Sequence, residues 1–430
     1  MGRFSAAATW LLTRALVLWL FFGHEAWVTG DVAYFAASLS AVPEVGLEAT
    51  LVEYPLPGVV LVALPWLVAE WVGAAGVYAF LVMVLALVTD AAFTALLHHT
   101  GRGRRSAMWT WLLAVPLLGA TTYARFDLVP GILAGTALLL LAAHPRVAAV
   151  CGAVATGLKF WPALLLPALA APRRSRGPVL IVVALVGVLL AGASVVVAGW
   201  SRLVSPLTWQ GERGLQVESV AATPAMLGWA IAPERFTVGF SEFNAFEVHG
   251  PGADVLLRLS QLGTLAVVVG LAVLWVRALR LGDGLDGEAV TWTCLAAVTG
   301  FLVTSKVLSP QYLLWLLPLA AAGLVASGTG SVGDPDAGPS RRLVWWSAAL
   351  LAATAATHLV FPTFYGGITT HQPWSVWVVA LLAARNLVLV WLLVHAAAEA
   401  WLRTSPSGQR GMPLDRQPPG PAAKDARTLR

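Results

Sequence analysis

The sequence predicts an all-α polytopic membrane protein, and three observations carry that expectation. The first is composition: of 430 residues, 58% are hydrophobic and only 11% charged, with a mean hydropathy of +0.77. A soluble domain has a polar surface to cover and carries about a quarter charged residues. The second is that apolar runs of about 18 or more residues recur along the chain, each long enough to cross the hydrocarbon core as a helix. The third is the placing of the basic residues. The net charge of +5 and pI near 9.6 come from short arginine clusters between apolar runs, which is the mark of membrane topology rather than of nucleic-acid binding. The lipid bilayer is the expected partner; nucleic acid is not.

The first apolar run, Trp10–Trp27, has no convincing small-residue cleavage site and reads as a retained signal anchor. Arg3 and the clusters Arg102/Arg104/Arg105, Arg173/Arg174/Arg176, Arg277/Arg280 and Arg341/Arg342 are expected on the cytoplasmic side. Three apolar runs lie between Arg3 and Arg102, and three crossings would put Arg102–Arg105 outside. The weak member is Pro57–Trp71, which is short and flanked or broken by Pro55, Pro57 and Pro65. It is therefore expected as an outer juxtamembrane helix, lying at or dipping into the membrane surface. Residues 24–73 then form one outer segment with six acids (Glu25, Asp31, Glu44, Glu48, Glu53, Glu70) and no Lys or Arg.

After Val77–Leu97, spans are expected at 107–121, 128–143, 147–158, 160–171, 178–199, 253–276, 289–304, 310–327, 343–360 and 375–397, about twelve in all with both ends inside. Trp200–Gly252 is a second long outer segment, with a surface helix expected at Pro224–Ile231. Residues 1–402 form the integral membrane domain, and the proline-rich stretch 403–430 is expected to be a disordered cytoplasmic tail.

The unusual polar residues collect on the outer side. Asp31 follows the first span; a carboxylate at that boundary can serve as a general base or can simply cap the helix that follows. Glu53 and Tyr54 precede the helix-starting prolines and could line a sugar site or meet water. Arg125 and Asp127 flank a tight turn and could be a salt-bridged connection. Of 27 basic residues only Lys159, Lys306 and Lys424 are lysines, and the first two sit at expected outer helix ends. A compact ammonium on the side that should avoid positive charge suits phosphate binding, with snorkelling to the interface as the alternative. Arg213, Gln216, Glu218 and Ser219 form a polar run in the second outer segment. Cys151 and Cys294 lie in apolar stretches and give no disulfide signal. No metal-ligand spacing, phosphate-cradling Gly loop or nucleophile elbow stands out, so no metal or cofactor is called for. Few acids lie deep within spans, Asp90 being the clearest, whereas ion-coupled transporters bury several.

In order along the chain, Gly30-Asp31-Val32, Glu53-Tyr54-Pro55, Arg125-Phe126-Asp127-Leu128-Val129-Pro130, Leu158-Lys159-Phe160-Trp161-Pro162, Arg213-Gly214-Leu215-Gln216-Val217-Glu218-Ser219 and Ser309-Pro310-Gln311-Tyr312-Leu313-Leu314-Trp315 resemble glycosyltransferase family 87. These are polytopic enzymes of the GT-C type, many of which use polyprenyl-phosphate mannose. The resemblance implies a GT-C-like fold with surface helices in the first outer loop, Asp31 as catalytic base, and a polyprenyl-phosphate sugar donor with a glycolipid or glycan acceptor. It further suggests Lys159, Arg213 and Lys306 for the donor phosphate. Glu53, Tyr54, Arg125, Asp127, Gln216, Glu218 and Tyr312 would then hold sugar or acceptor. Tyr54-Pro55-Leu56-Pro57 departs from the Tyr-Pro-Pro common in the family, which is expected to shift a helix start. The expected location is the plasma membrane with an extracytoplasmic site. A flippase or transporter of a lipid-linked sugar or other envelope precursor is the alternative.

Overall fold

The structure, a computed structural model, describes residues 1–74, 76–281, 284–327 and 339–405. Most of the expected tail therefore lies outside the described residues. The chain folds into helices α1 (Arg3–Phe22), α2 (Gly30–Ser40), α3 (Val42–Ala49), α4 (Leu56–Val72), α5 (Val77–Thr100), α6 (Arg105–Leu118), α7 (Thr121–Ala124), α8 (Leu128–Leu140), α9 (Pro145–Leu158), α10 (Leu166–Leu169), α11 (Arg173–Glu212) and α12 (Thr223–Ile231). A hairpin follows, β1 (Thr237–Phe240) and β2 (Phe246–His249), then α13 (Ala253–Arg280), α14 (Gly287–Thr304), α15 (Leu317–Ala326), α16 (Arg341–His358), α17 (Gly366–Thr369) and α18 (Ser375–Arg403). Among the described residues, seven helical segments are long and apolar enough to cross a membrane: α1, α5, α11, α13, α14, α18 and Arg341–Thr363. Shorter apolar helices, including α4, α8, α9 and Pro310–Ala326, pack among them.

Local chemistry sets several boundaries. Asp286 caps α14 by accepting from the Ala289 amide at 2.7 Å. Pro55 and Pro57 open α4, and Gly73 closes it in the left-handed conformation at φ +70°. The core sits on α15, whose residues are all buried. Gly131 and Gly135 of α8 let it approach: a Cβ at Gly131 would lie 2.1 Å from the Leu314 carbonyl oxygen.

Three expected elements come out differently in kind. Residues 160–171 do not form one spanning helix; Trp161–Leu165 is a 3₁₀ turn and α10 a single further turn. Pro162 and Pro167 remove two amide donors there, which favours the tighter turn. Residues 310–327 likewise start as a 3₁₀ segment, Pro310–Trp315, before α15. The span ending at Gly199 does not stop: the chain kinks at Ala198 and Gly199 (φ +80°) and continues as helix to Glu212. The hairpin was not anticipated either; it pairs Val238 with Val248 between α12 and α13.

The basic turns gather at one end of the bundle. The Met1 ammonium donates to the Gly103 carbonyl at 2.5 Å, Arg104 to the Leu324 carbonyl at 3.1 Å, and Arg403 to Glu288 at 2.9 Å, while Arg342 pairs with Glu399. Because Met1 meets the turn after α5, α1 and α5 run out and back. α4 begins and ends at the opposite end: Gly58 lies against the Leu158 carbonyl at the end of α9, and Gly73 leads directly into the start of α5. By length and apolarity α1 and α5 qualify as spans, and α4 as a shorter apolar helix. Between α1 and α5, Asp90 is fully buried and accepts from Arg14 Nε and Nη2, Trp111 and the Tyr123 hydroxyl, each at 2.8 Å, and from Trp10 at 3.1 Å.

Candidate active site

Opposite the basic end, the loops close around a cavity of about 420 Å³, within the range of small-molecule sites. Nine of the eleven residues singled out from sequence line it: Asp31, Glu53, Tyr54, Arg125, Lys159, Arg213, Gln216, Glu218 and Tyr312. Asp127 and Lys306 do not.

Asp31 lies in the first turn of α2 but caps nothing; Thr29 is at the N-cap position and makes no side-chain cap bond. Its carboxylate instead meets Arg125 Nη1 at 2.5 Å and is about one third exposed (36%) to the cavity. Arg125 is delivered by the turn Gly119–Ala124, which is tied at both ends by carboxylates from elsewhere. Glu25 accepts from the Ala120 amide at 2.7 Å and pairs with His358 at 2.6 Å; Asp90 holds the Tyr123 hydroxyl. The Arg125 Nε is buried without a hydrogen-bond partner.

Lys159 breaks away from the end of α9 in extended conformation. Its ammonium sits 2.7 Å from Asp127 Oδ1, 5.3 Å from the Tyr312 ring centre, 5.5 Å from Trp315 and 5.7 Å from Tyr54. Asp127 also accepts from Trp315 Nε1 at 2.6 Å. Asp127 is thus the buried counter-ion that fixes Lys159 at the cavity wall. Trp315 stacks on Tyr312 at 4.1 Å and on Trp161 at 4.9 Å, so the 3₁₀ segments that replaced the expected helices bring these rings together.

On the opposite wall, the Gln216 side-chain oxygen accepts from the Leu308 amide at 2.7 Å and the Gln216 backbone N–H donates to the Lys306 carbonyl at 3.0 Å. The Lys306 ammonium donates to the Gly211 and Arg213 carbonyls at 2.8 and 2.5 Å, closing the end of α11 and the turn carrying Arg213. Burial pushes its pKa down. Glu218 is fully buried, 3.7 Å from Arg385 Nη2, and neither carboxylate oxygen has a hydrogen-bond partner. Burial pushes its carboxyl up to about 7, with Arg385 and Arg125 opposing. Glu53, beside Tyr34, is raised by burial too, and its Oε2 is unpartnered. Unpaired buried polar atoms are costly, and here they converge on the cavity, where a polyhydroxyl ligand would satisfy them. Among the described residues no group of three or more His, Cys, Asp or Glu could hold a metal ion.

Sequence reasoning missed Tyr34, Phe361, Tyr365 and Arg385. Arg385 had a readable signal, a charge inside an apolar run, which marks function or a specific partner. It also missed an aromatic strip from Trp27 through Phe361, Tyr365 and Phe246 to Phe240, whose rings contact in series along the cavity.

An all-helical bundle whose end opens into a cavity holding carboxylates, fixed cations and aromatic rings is the build of a polytopic membrane enzyme acting on a polar substrate. The sequence model of glycosyltransferase family 87 matches residues 52–305, 254 of the 430 residues, and the chain belongs to that family. It is a membrane glycosyltransferase. The match begins after Asp31 and ends before Lys306 and Tyr312. No curated protein and no solved structure matches the chain.

Proposed function

We propose that this glycosyltransferase moves a sugar, mannose, from a polyprenyl-phosphate donor to an acceptor hydroxyl on a glycolipid or glycan. Transfer takes place at the extracytoplasmic face of the plasma membrane and inverts the anomeric centre. The observation that carries the reading is Asp31: exposed to the cavity, free of any capping duty, and aimed by Arg125. The cavity lies opposite the arginine-rich turns, which supports an outer location through the positive-inside rule. No nucleotide sugar is at hand there, which favours a lipid-linked donor.

In the proposed step Asp31 takes the proton of the acceptor hydroxyl as that oxygen attacks the anomeric carbon. The bond from that carbon to the phosphate oxygen breaks and the phosphate leaves with the electron pair. Such a single displacement inverts configuration and needs one base rather than the two-carboxylate covalent route. Lys159 and Arg213 face the cavity from two walls and supply positive charge where charge grows on the departing phosphate. Arg125, with its free Nε, is placed to share that task while holding Asp31. Glu53, Gln216, Glu218, Tyr54 and Tyr312 offer hydrogen bonds and ring faces to sugar hydroxyls. Asp127 and Lys306 support the two cations' loops from behind.

The test is transfer by purified protein in detergent, supplied with polyprenyl-phosphate mannose and a mannosylated glycolipid. Detergent leaves no compartments, so a carrier cannot score. Elongated acceptor of α configuration supports the reading; intact donor and acceptor after long incubation, with other polyprenyl-phosphate sugars consumed instead, would move it to another sugar.

A further inference from the structure

At the basic end, far from the transfer cavity, α1 and α5 leave a second recess of about 590 Å³. Its walls are apolar, formed by Ala6, Trp10 and Leu11 of α1, Ala91 and Ala95 of α5, and Met108 of α6; Arg3, His98 and His99 stand at its mouth. The turn closing that mouth carries Arg102, Arg104 and Arg105 and is tied to the Met1 ammonium through the Gly103 carbonyl. No Asp or Glu occurs in residues 1–24 or 91–126, and Arg104 of this turn is engaged with the Leu324 carbonyl. The side chains of Arg3 and His99 are exposed and make no hydrogen bond or ion pair among the described residues. His98 is engaged, its Nε2 lying 3.2 Å from the Met1 carbonyl oxygen.

An apolar slot between two helices, with the Arg3 and His99 side chains open at its mouth, has the chemistry of a phospholipid site. A zwitterionic headgroup would bring its own cation against Arg3; an anionic one would not. We propose that this recess holds an anionic phospholipid of the inner leaflet, one acyl chain between α1 and α5 and its phosphate at Arg3 and His99. The site is separate from the transfer cavity and does not depend on which sugar is moved.

Native mass spectrometry of the full-length protein, delipidated and then given phosphatidylglycerol or phosphatidylcholine of identical chains, tests this. The anionic lipid should stay bound under activation that strips the zwitterionic one. Arg3→Gln should weaken retention of phosphatidylglycerol by about fivefold, the worth of one interfacial arginine. Ala95→Trp fills the recess without touching the charges and should abolish retention of a tightly held lipid. Equal retention of both lipids, or phosphatidylglycerol retention unchanged in both variants, overturns the proposal. Competition by glycerol 3-phosphate as strong as by the intact lipid also overturns it, since the acyl chain would then contribute nothing.

Discussion

Two carboxylate–arginine arrangements in this molecule look alike on paper and differ in what surrounds them. Asp90 and Arg14 lie wholly inside the bundle, and Asp90 collects hydrogen bonds from Arg14, Trp10, Trp111 and Tyr123. Asp31 with Arg125, and Glu218 with Arg385, stand at the cavity with polar atoms left over: Nε of both arginines and both Glu218 oxygens lack partners. A buried charge is tolerated when every lone pair and proton is used. In the first cluster every side-chain nitrogen and oxygen of Arg14 and Asp90 has a partner, and it needs no ligand. The second does not meet that condition, and its unmet hydrogen-bonding capacity points toward a substrate. Both are connected, since Asp90 grips Tyr123 two residues before Arg125.

That contrast predicts different phenotypes. Asp90→Asn breaks a buried pair and strands Arg14, so stability should drop by about 3–5 kcal/mol; thermal unfolding in detergent would read this as a lower midpoint or loss of folded yield. A variant that unfolds like wild type would mean Asp90 is not the anchor described. Lys159→Ala should slow transfer about 100-fold, the usual cost of one charge-stabilising donor, and should also lower the thermal midpoint, because buried Asp127 then keeps only the Trp315 donor. Glu218→Gln should cost about tenfold near neutral pH, comparable to one hydrogen bond to a charged group. Because burial raises the Glu218 carboxyl to about 7, its ionised, hydrogen-bond-accepting form grows in as pH rises through that value. Wild-type kcat/KM should therefore climb across pH 7, and the Gln variant should lose that rise; an identical profile in both would remove Glu218 from sugar binding. Lys306→Ala has the smallest expected effect on turnover. It should lower stability by about 1–2 kcal/mol through its lost carbonyl bonds while kcat stays near wild type, unlike Lys159→Ala.

The comparison also shows what a sequence can and cannot reveal. Apolar runs and arginine clusters were enough for the helical membrane fold, and they also supply the parity argument that reads α4 as a surface helix. The odd placement of two lysines drew attention to both, yet nothing local separated them. Lys159 reaches the cavity because α9 ends in extended backbone, whereas Lys306 folds back onto the carbonyls after α11. Asp31 as cap or as base was equally undecidable, since the distinction rests on Arg125, 94 residues away. The 3₁₀ segments at Trp161 and Pro310 were missed because hydropathy registers apolar length and not backbone pitch, although the prolines were visible. Arg385 was legible in principle and passed over, its partner Glu218 being 167 residues upstream.

The most direct test of the account is the transfer rate of Asp31→Asn, purified and monodisperse, with donor and acceptor saturating. Asparagine keeps the size and can still face Arg125, so the thermal midpoint should match wild type, in contrast to Asp90→Asn. It cannot take a proton, and loss of a general base should lower the rate by about 100- to 10,000-fold. A folded Asp31→Asn protein that transfers sugar within about threefold of wild type, well inside the span expected for base removal, would contradict the assignment and the distinction between the two clusters with it.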